Sequence, residues 1–482
     1  PPASRISENP MIRKTKPEFI APYLRDASNF SGGNAEEVVI PETSDELADF
    51  LKNETRPITI AGAGTGLTAS RIPSGGIIVS LERLNKIAKE EEGRVRIGPA
   101  VTLNELQSFL VPTGWFYPPN PTETLASLGG TLATNASGSR SFKFGVTRDY
   151  VEEVELILVD GRKTLLKRGL KITEPLTFED GSKIIFPNIA YRSPECKNAA
   201  GYFIQPGMDW LDLFIGSDGT LGIFTDIVLR LIPRPDDFVS GILFFKEESS
   251  CWELIPKIKS LDGKKIDPCS LEYFDYNALK RLKSKHKNIP NRSKVALFFE
   301  QDVLKMKDYD SILDNWYKFL SAENIMLDDS WFAQGPKDVQ MFHDFRHDVP
   351  AIINEENSRA GRVKLGTDMA VPDKYYMPMM QFYRETLKAN DLDYVMFGHL
   401  GDNHLHINLL PEESQRDMAQ KVYDQMVDQI LEWGGTVSAE HGIGKLKNKY
   451  FAKMVGSSGL KDLNKIKYCL DPKNRLGAGN VL

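Results

Sequence analysis

The chain has 482 residues, 41% of them apolar and 26% charged, with a formal net charge of −6 and a pI near 5.8. That length exceeds one small core and implies roughly two to three domains, and the mildly acidic balance excludes the electrostatic footprint of a nucleic-acid binder. Cys196, Cys251, Cys269 and Cys469 stand far apart with no C-x-x-C pair, which argues against an iron–sulfur cluster or zinc ribbon and fits buried free thiols.

The first half alternates short strands with helices. "TSDELADFLKN" offers a helix cap at Thr43 or Ser44, with Leu47, Phe50 and Leu51 at helical spacing. "RPITIAG" reads as an alternating strand and "GIIVSLERL" as another. Between them lies Gly62-Ala63-Gly64-Thr65-Gly66, a glycine turn whose backbone N–H groups can cradle a pyrophosphate. A bland turn fits the same residues. A Rossmann fingerprint fails in detail: Leu67 stands where the third glycine belongs, and a crossover helix would run through Pro73 and Gly75-Gly76.

"TLNELQSFLVPTG" is a second capped helix, from Thr102 to stops at Pro112 and Gly114. "TLASLGGTLATNASGSRSFKFGVTRDYV" is crowded with small residues, so backbone can approach a flat or charged ligand closely. A solvated linker would not scatter Leu125, Leu128 and Leu132 through it. "VEEVELILVDG" is a longer strand, and "DLFIGSDGTLGIFTDIVLRL" carries two glycine turns into another. The prolines of "LRLIPRPDD" end the first texture, and a boundary is placed near residue 235. Beyond it, "SGILFFK", "ESSCWELIPKIKSLDG", "KVALFFEQD" and "DYDSILDNWYKFLSAEN" repeat a longer strand–helix rhythm.

Three of the seven histidines, His399, His404 and His406, fall in "FGHLGDNHLHINLL", and His441 sits beside Glu440 in "SAEHGIGK". If "NHLHINLL" is a strand, His404, His406 and Asn408 share one face and Leu405, Ile407 and Leu409 the other. Imidazoles with a carboxylate suit zinc or a similar divalent ion, and spacing alone selects His404 and His406. A polar strand face with hydrogen-bonded histidines is the simpler alternative.

Together and in this order, the glycine segments resemble the flavin domain of the vanillyl-alcohol-oxidase (PCMH-type) superfamily. "KNAAGY", "GSDGTLGI" and "HLGDNHLHIN" resemble its type-4 FAD-linked oxidase/transferase family, in the branch of the D-lactate, D-2-hydroxyglutarate and glycolate dehydrogenases. The resemblance implies an α+β chain. It would comprise a PCMH-type FAD-binding domain of two α/β subdomains (1–235), a substrate or cap domain with a helix-covered antiparallel sheet (236–436), and a C-terminal helical segment completing the active site (437–482). It implies FAD wrapped at its pyrophosphate by Gly62, Ala63, Gly64, Thr65, Gly66 and Leu67. Ser127, Leu128, Gly130, Thr131, Thr134, Asn135 and Gly138 would line the ring and ribityl side, with Ile223 near the adenine. Thr65 stands where several relatives attach flavin through histidine, so the FAD is expected to be non-covalent.

The same resemblance implies His399, His406 and Glu440 as ligands of a divalent metal, zinc or manganese, with His441 as general base and Asn408 on the substrate carboxylate. His404 holds a place often taken by Asn, and is either a partner behind the ligands or a further ligand. Arg346 resembles the family's carboxylate-binding arginine, and its alternative is a surface ion pair with Asp344 or Asp348. Lys364 is a weaker substrate contact, two residues out of register relative to Asp368 and Pro372. Pro350 replaces a threonine found near the distal carboxylate in hydroxyglutarate enzymes. The implied reaction is oxidation of a D-2-hydroxy acid, D-lactate ahead of D-2-hydroxyglutarate, by hydride transfer to FAD N5. Electrons would leave to a quinone, a cytochrome or an electron-transfer flavoprotein. A flavoprotein subunit of a glycolate- or lactate-oxidising complex is a second reading. An alkyl-dihydroxyacetone-phosphate-synthase-like transferase is a third, although it would call for "HHHG" where "SAEHGIGK" stands. No nucleic acid is implied; a homodimer is compatible, and the expected location is cytoplasmic, organelle-matrix or peripheral to a membrane.

Overall fold

The computed structural model describes residues 11–482. Its first sheet orders strands Ile12–Lys14, Glu37–Ile40, Ile77–Ser80 and Ile58–Ala61. The last two run parallel, yet residues 62–76 join them without a helix. That loop is therefore free to act as a long glycine-rich turn. Thr43 caps the helix Ser44–Asn53 by accepting from Glu46 N, and its Leu47, Ala48 and Leu51 pack on Val39, Ile58, Ile77 and Val79.

The second sheet is antiparallel, in the order Ile87–Lys89, Arg94–Ile97, Ile223–Arg230, Val151–Ile157, Lys163–Lys167. Helix Leu103–Leu110 begins in a capping box between Thr102 and Glu105. Its Leu103, Leu106 and Leu110 join Leu128 and Leu132 of the short helix Leu128–Thr134 in one core with Val95, Ile97, Val154 and Leu156. The small-residue segment is thus pinned to the sheet by Leu128 and Leu132, whereas Leu125, also expected inside, is exposed.

A third, eight-stranded sheet runs Trp331–Phe332, Asp237–Phe245, Val295–Val303, Ser270–Phe274, Tyr394–His399, His404–Leu409 and Leu365–Gly366, with Met369–Ala370 also pairing to His404–Leu409. Every pairing in it is antiparallel. Its strands are apolar on both faces because both are covered. Leu243, Phe245, Leu271, Tyr273, Leu297 and Phe299 face helices Glu248–Lys259, Tyr309–Leu320, Tyr376–Ala389 and Arg416–Glu432. The intervening Ile242, Phe244, Phe274, Ala296 and Phe298 face Tyr276–Leu282 and Pro336–Ala360. The period of two in side-chain direction produces this three-layer packing.

The last helix, Asn448–Leu470, breaks at Gly456 (φ 67°). Beyond it the chain returns to the first sheet. Ile58 N donates to Arg475 O (2.7 Å) and Gly477 N donates to Ile58 O (2.8 Å). The segment carrying Glu440 and His441 is therefore stretched between the histidine sheet and the first glycine loop. Among the described residues, no helix is long and apolar enough to cross a membrane.

Candidate active site

One cavity of about 1920 Å³ runs between the domains. Gly62, Ala63, Gly64, Thr65, Gly66 and Leu67 line it, as do Ser127, Gly130, Thr131, Thr134, Gly138 and Ile223. Ser127 Oγ accepts from Ala63 N (3.3 Å), tying the first glycine loop to the small-residue helix. Side chains larger than hydrogen at Gly62 and Gly130 would press on that hydroxyl at 2.9 and 3.0 Å, whereas at Gly66 and Gly219 a Cβ would meet nothing within 4 Å. The walls are thus bare backbone beside open space, which fits an extended, phosphate-bearing cofactor such as FAD. Leu128 and Asn135 do not line the cavity. Leu128 is fully buried in the core, because the helix needs that face for packing. Asn135 ends the helix in the left-handed region (φ 48°), and its Oδ1 accepts from Arg148 N (3.0 Å).

The histidine hairpin, strands Tyr394–His399 and His404–Leu409, opens onto the same cavity through His399, His406 and Asn408, and Glu440 and His441 line it from the final segment. His399, His404, His406 and Glu440 each offer a ligand atom, all within 4.8 Å of one another. His399 Nε2 is 3.3 Å from Glu440 Oε1, and His406 Nε2 is 3.9 Å from Glu440 Oε2. His404 is completely buried, its Nε2 3.0 Å from Asp368 Oδ1, and its Nδ1 meets no hydrogen-bond partner. Imidazole nitrogens and a carboxylate converging this closely are the donor set of a transition-metal site.

Burial and neighbouring charges set the protonation of these groups. Burial works against the Glu440 carboxylate, but Lys197 and His399 outweigh it and hold the carboxyl well below its usual range. Burial likewise lowers His399, yet Glu440 and Glu272 prevail and its imidazole is pushed up to about 9. His406 is held well below its ordinary value by burial, with His404 and His441 adding to the effect.

Asp368 ties the site together. Its Oδ2 accepts from Ser438 Oγ (2.8 Å), His441 N (3.1 Å) and Lys447 Nζ (2.7 Å), and lies 3.1 Å from His441 Nδ1. Burial disfavours its charge, but His441, Lys447 and His404 keep the carboxyl well below the usual range. The ring of His441 stacks on that of His406, with centroids 5.5 Å apart. On the side of the first glycine loop, buried Asp218 (φ 52°) accepts from Ile443 N (2.7 Å), Gly444 N (3.1 Å) and Ser70 Oγ (3.1 Å). One carboxylate thereby joins the "GSDGTLGI" turn, the first glycine loop and the His441 segment.

Arg346 lines the cavity, but neither Asp344 nor Asp348 is its partner. Its Nε and Nη2 fork onto Glu272 at 2.9 and 2.7 Å, leaving Nη1 as the part of the guanidinium still open to an anion. Lys364 lines the cavity and donates to Asn354 Oδ1 (2.7 Å). Glu272, Asp368, Lys197 and Thr367 are the site residues that motif reading passed over. Lys197 lies in the "KNAAGY" motif and donates to Glu440 (2.6 Å) and Asp402 (3.2 Å). The available signal was a charge inside an apolar strand, as in "SLEYF", or between β residues, as in "TDMAVP".

Comparisons with known proteins agree with this architecture. The FAD binding domain family matches residues 35–165. The FAD linked oxidases, C-terminal domain, family matches residues 234–481, more than half of the chain. The chain is 26% identical over 475 residues to the glycolate oxidase subunit GlcD of Bacillus subtilis, covering 95% of this chain and 91% of that protein. It is 27% identical over 503 residues to a D-lactate dehydrogenase of Anaerostipes hadrus, covering 95% and 92%. A solved alkyldihydroxyacetonephosphate synthase superposes with a TM-score of 0.68 at 14% identity, covering 96% of this chain and 81% of that one, a likeness of fold. A PCMH-type flavin domain followed by this C-terminal domain places the chain in the FAD-linked oxidase family.

Proposed function

We propose that the protein is an FAD-dependent, divalent-metal-assisted dehydrogenase of D-2-hydroxy acids, with D-lactate favoured and D-2-hydroxyglutarate next. The observation that carries this reading is the shared cavity, walled by the glycine loops on one side and by His399, His406, Glu440 and His441 on the other. Relatives named D-lactate dehydrogenase, glycolate oxidase subunit and D-2-hydroxyglutarate dehydrogenase support the substrate class. Bound FAD would supply the hydride acceptor. A divalent ion on His399, His406 and Glu440 would supply Lewis acidity that eases loss of the hydroxyl proton.

The remaining work falls to side chains. His441 accepts the hydroxyl proton at Nε2, because Asp368 engages Nδ1 and stabilises the charge that results. Asn408, Lys364 and the open Nη1 of Arg346 hold the substrate carboxylate. Pro350, also on the cavity wall, offers no hydroxyl to a second carboxylate, which favours a short acid. The outgoing electron acceptor is a quinone, a cytochrome or an electron-transfer flavoprotein.

The test is anaerobic mixing of the yellow protein with D-lactate, L-lactate and a panel of D-2-hydroxy acids. The expected result is flavin bleaching by a D acid alone, slowed by chelation and restored by zinc or manganese. Full-rate bleaching after complete metal removal, or none with any acid of the panel, overturns the proposal.

A further inference from the structure

The three clustered histidines share one arrangement: each turns one ring nitrogen towards an oxygen and the other towards the cluster, with a hydrogen bond made at His404 and His406 while His399 Nδ1 stays beyond hydrogen-bond reach of its oxygen. Glu272 Oε1 lies 3.6 Å from His399 Nδ1, and Thr367 O lies 3.3 Å from His406 Nδ1. Both residues keep Nε2 towards Glu440. His404 has the same arrangement with its nitrogens exchanged, since Asp368 takes Nε2 at 3.0 Å. A carboxylate there requires Nε2 to carry the proton, so Nδ1 bears the lone pair. That lone pair is buried and has no hydrogen-bond donor.

A buried acceptor left bare costs about 1–3 kcal/mol. A polar strand face with structural histidines would leave that cost without compensation. Metal-bound histidines, by contrast, nearly always donate their second ring N–H to a carboxylate or carbonyl, which fixes the tautomer. The geometry agrees. The rings of His404 and His406 lie 4.5 Å apart, and those of His404 and His399 5.5 Å apart. Ligand atoms around a tetrahedral ion with bonds of about 2.1 Å stand about 3.4 Å from one another. The candidate ligand atoms, all within 4.8 Å of one another, would draw in towards that spacing around an ion. Gly398 (φ 140°) permits the tight hairpin, because a Cβ there would press at 3.1–3.2 Å on His404 O and His406 N.

We infer that His404 is a third imidazole ligand, through Nδ1, so that the centre is a three-histidine, one-carboxylate site selecting zinc and late first-row ions over manganese. This rests on the metal reading proposed above and refines it: oxygen-rich sets suit manganese, and each added imidazole favours zinc, cobalt, nickel or copper.

The experiment uses metal-depleted holoprotein with its FAD in place. It is loaded from equal zinc and manganese, and separately with cobalt or copper. The expected results are preferential zinc uptake and a copper paramagnetic-resonance spectrum split by three nitrogens. His404→Asn should weaken zinc binding at least about tenfold and raise the share of manganese retained, with FAD content unchanged. Zinc affinity and metal preference unaltered in His404→Asn would overturn the inference while leaving the metal reading intact. Absence of any stoichiometric ion in wild type and loss of nothing in Glu440→Gln would overturn both. Should His404→Asn fail to fold, the nitrogen count in wild-type copper protein decides: two nitrogens refute, three support.

Discussion

Replacing Asp368 by Asn tests the catalytic reading most directly, because the side chain keeps its size while losing its charge and one of its two acceptor oxygens. At 3.1 Å from His441 Nδ1, an effective dielectric of about 20 gives an attraction of about 5 kcal/mol for an imidazolium. His441 is partly open to the cavity, so we take about 3 kcal/mol as the stabilisation lost when the base takes up a proton, a factor of about 150 in rate. The amide aggravates this if its N–H turns to Nδ1, since the proton then moves to Nε2 and the base is occupied. The same substitution removes the counter-ion of Lys447, whose Nζ sits 2.7 Å from Asp368, and breaking such a partly buried pair costs up to about 3–5 kcal/mol of stability. The assay is anaerobic stopped-flow reduction of the flavin by D-lactate, with thermal melting and FAD content measured on the same sample. A loss of about two orders of magnitude in the limiting rate, with the substrate concentration at half-saturation little changed, is expected. A limiting rate within about threefold of wild type, in protein that retains FAD and metal, would refute the assignment of Asp368 as positioning residue for His441.

Three further outcomes follow from the same geometry. Glu440→Gln should release the metal, because one neutral oxygen replaces a carboxylate that faces both His399 and His406; full metal retention by elemental analysis would refute its ligand role. His441→Ala should keep FAD and metal while flavin reduction by D-lactate disappears, and an unchanged rate would remove it as the base. Asp275 is a buried cap accepting from Ala278 N (2.8 Å), and burial pushes its carboxyl up to about 7. The folded chain then binds more protons than the unfolded one between about pH 4 and pH 7, so this group's contribution to stability falls as pH rises through that window. Asp275→Asn keeps an acceptor and removes the charge. Its stability, followed by thermal or denaturant unfolding, should gain on wild type progressively from pH 4 to pH 7, by up to about 4 kcal/mol for a three-unit shift, and a pH-independent difference would refute the reading.

Much of the fold was legible because local rules and tertiary needs coincide. Thr43, one of the two caps the sequence offers for its helix, and Thr102 both cap as expected, each with an acidic residue at the third helical position. Pro73 and the glycines around it forbid a crossover helix, and strands Ile58–Ala61 and Ile77–Ser80 are indeed joined by loop. The layers of the third sheet were harder to read. "SGILFFK" and "KVALFFEQD" are apolar on both faces, so their sequence carries no alternation to say which residues meet which helices. Only the positions of the six surrounding helices assign Leu243 to one layer and Ile242 to the other.

At the site, residues close in sequence were readable and residues close only in space were not. His399, His404, His406, Glu440 and His441 cluster along the chain, and the strand periodicity already groups His404 with His406. Their oxygen partners come from elsewhere: Glu272 from the neighbouring strand, paired directly with His399, and Asp368 from the turn between Leu365–Gly366 and Met369–Ala370. No spacing rule connects position 272 to 399 or 368 to 441. The Arg346 fork shows the consequence. Read alone, it looks free to take a substrate carboxylate, whereas in the fold Glu272 occupies two of its three nitrogens and also faces His399. A charge change at Glu272 would therefore reach anion binding and the metal cluster together, a coupling that only the antiparallel pairing of its strand with the histidine hairpin creates.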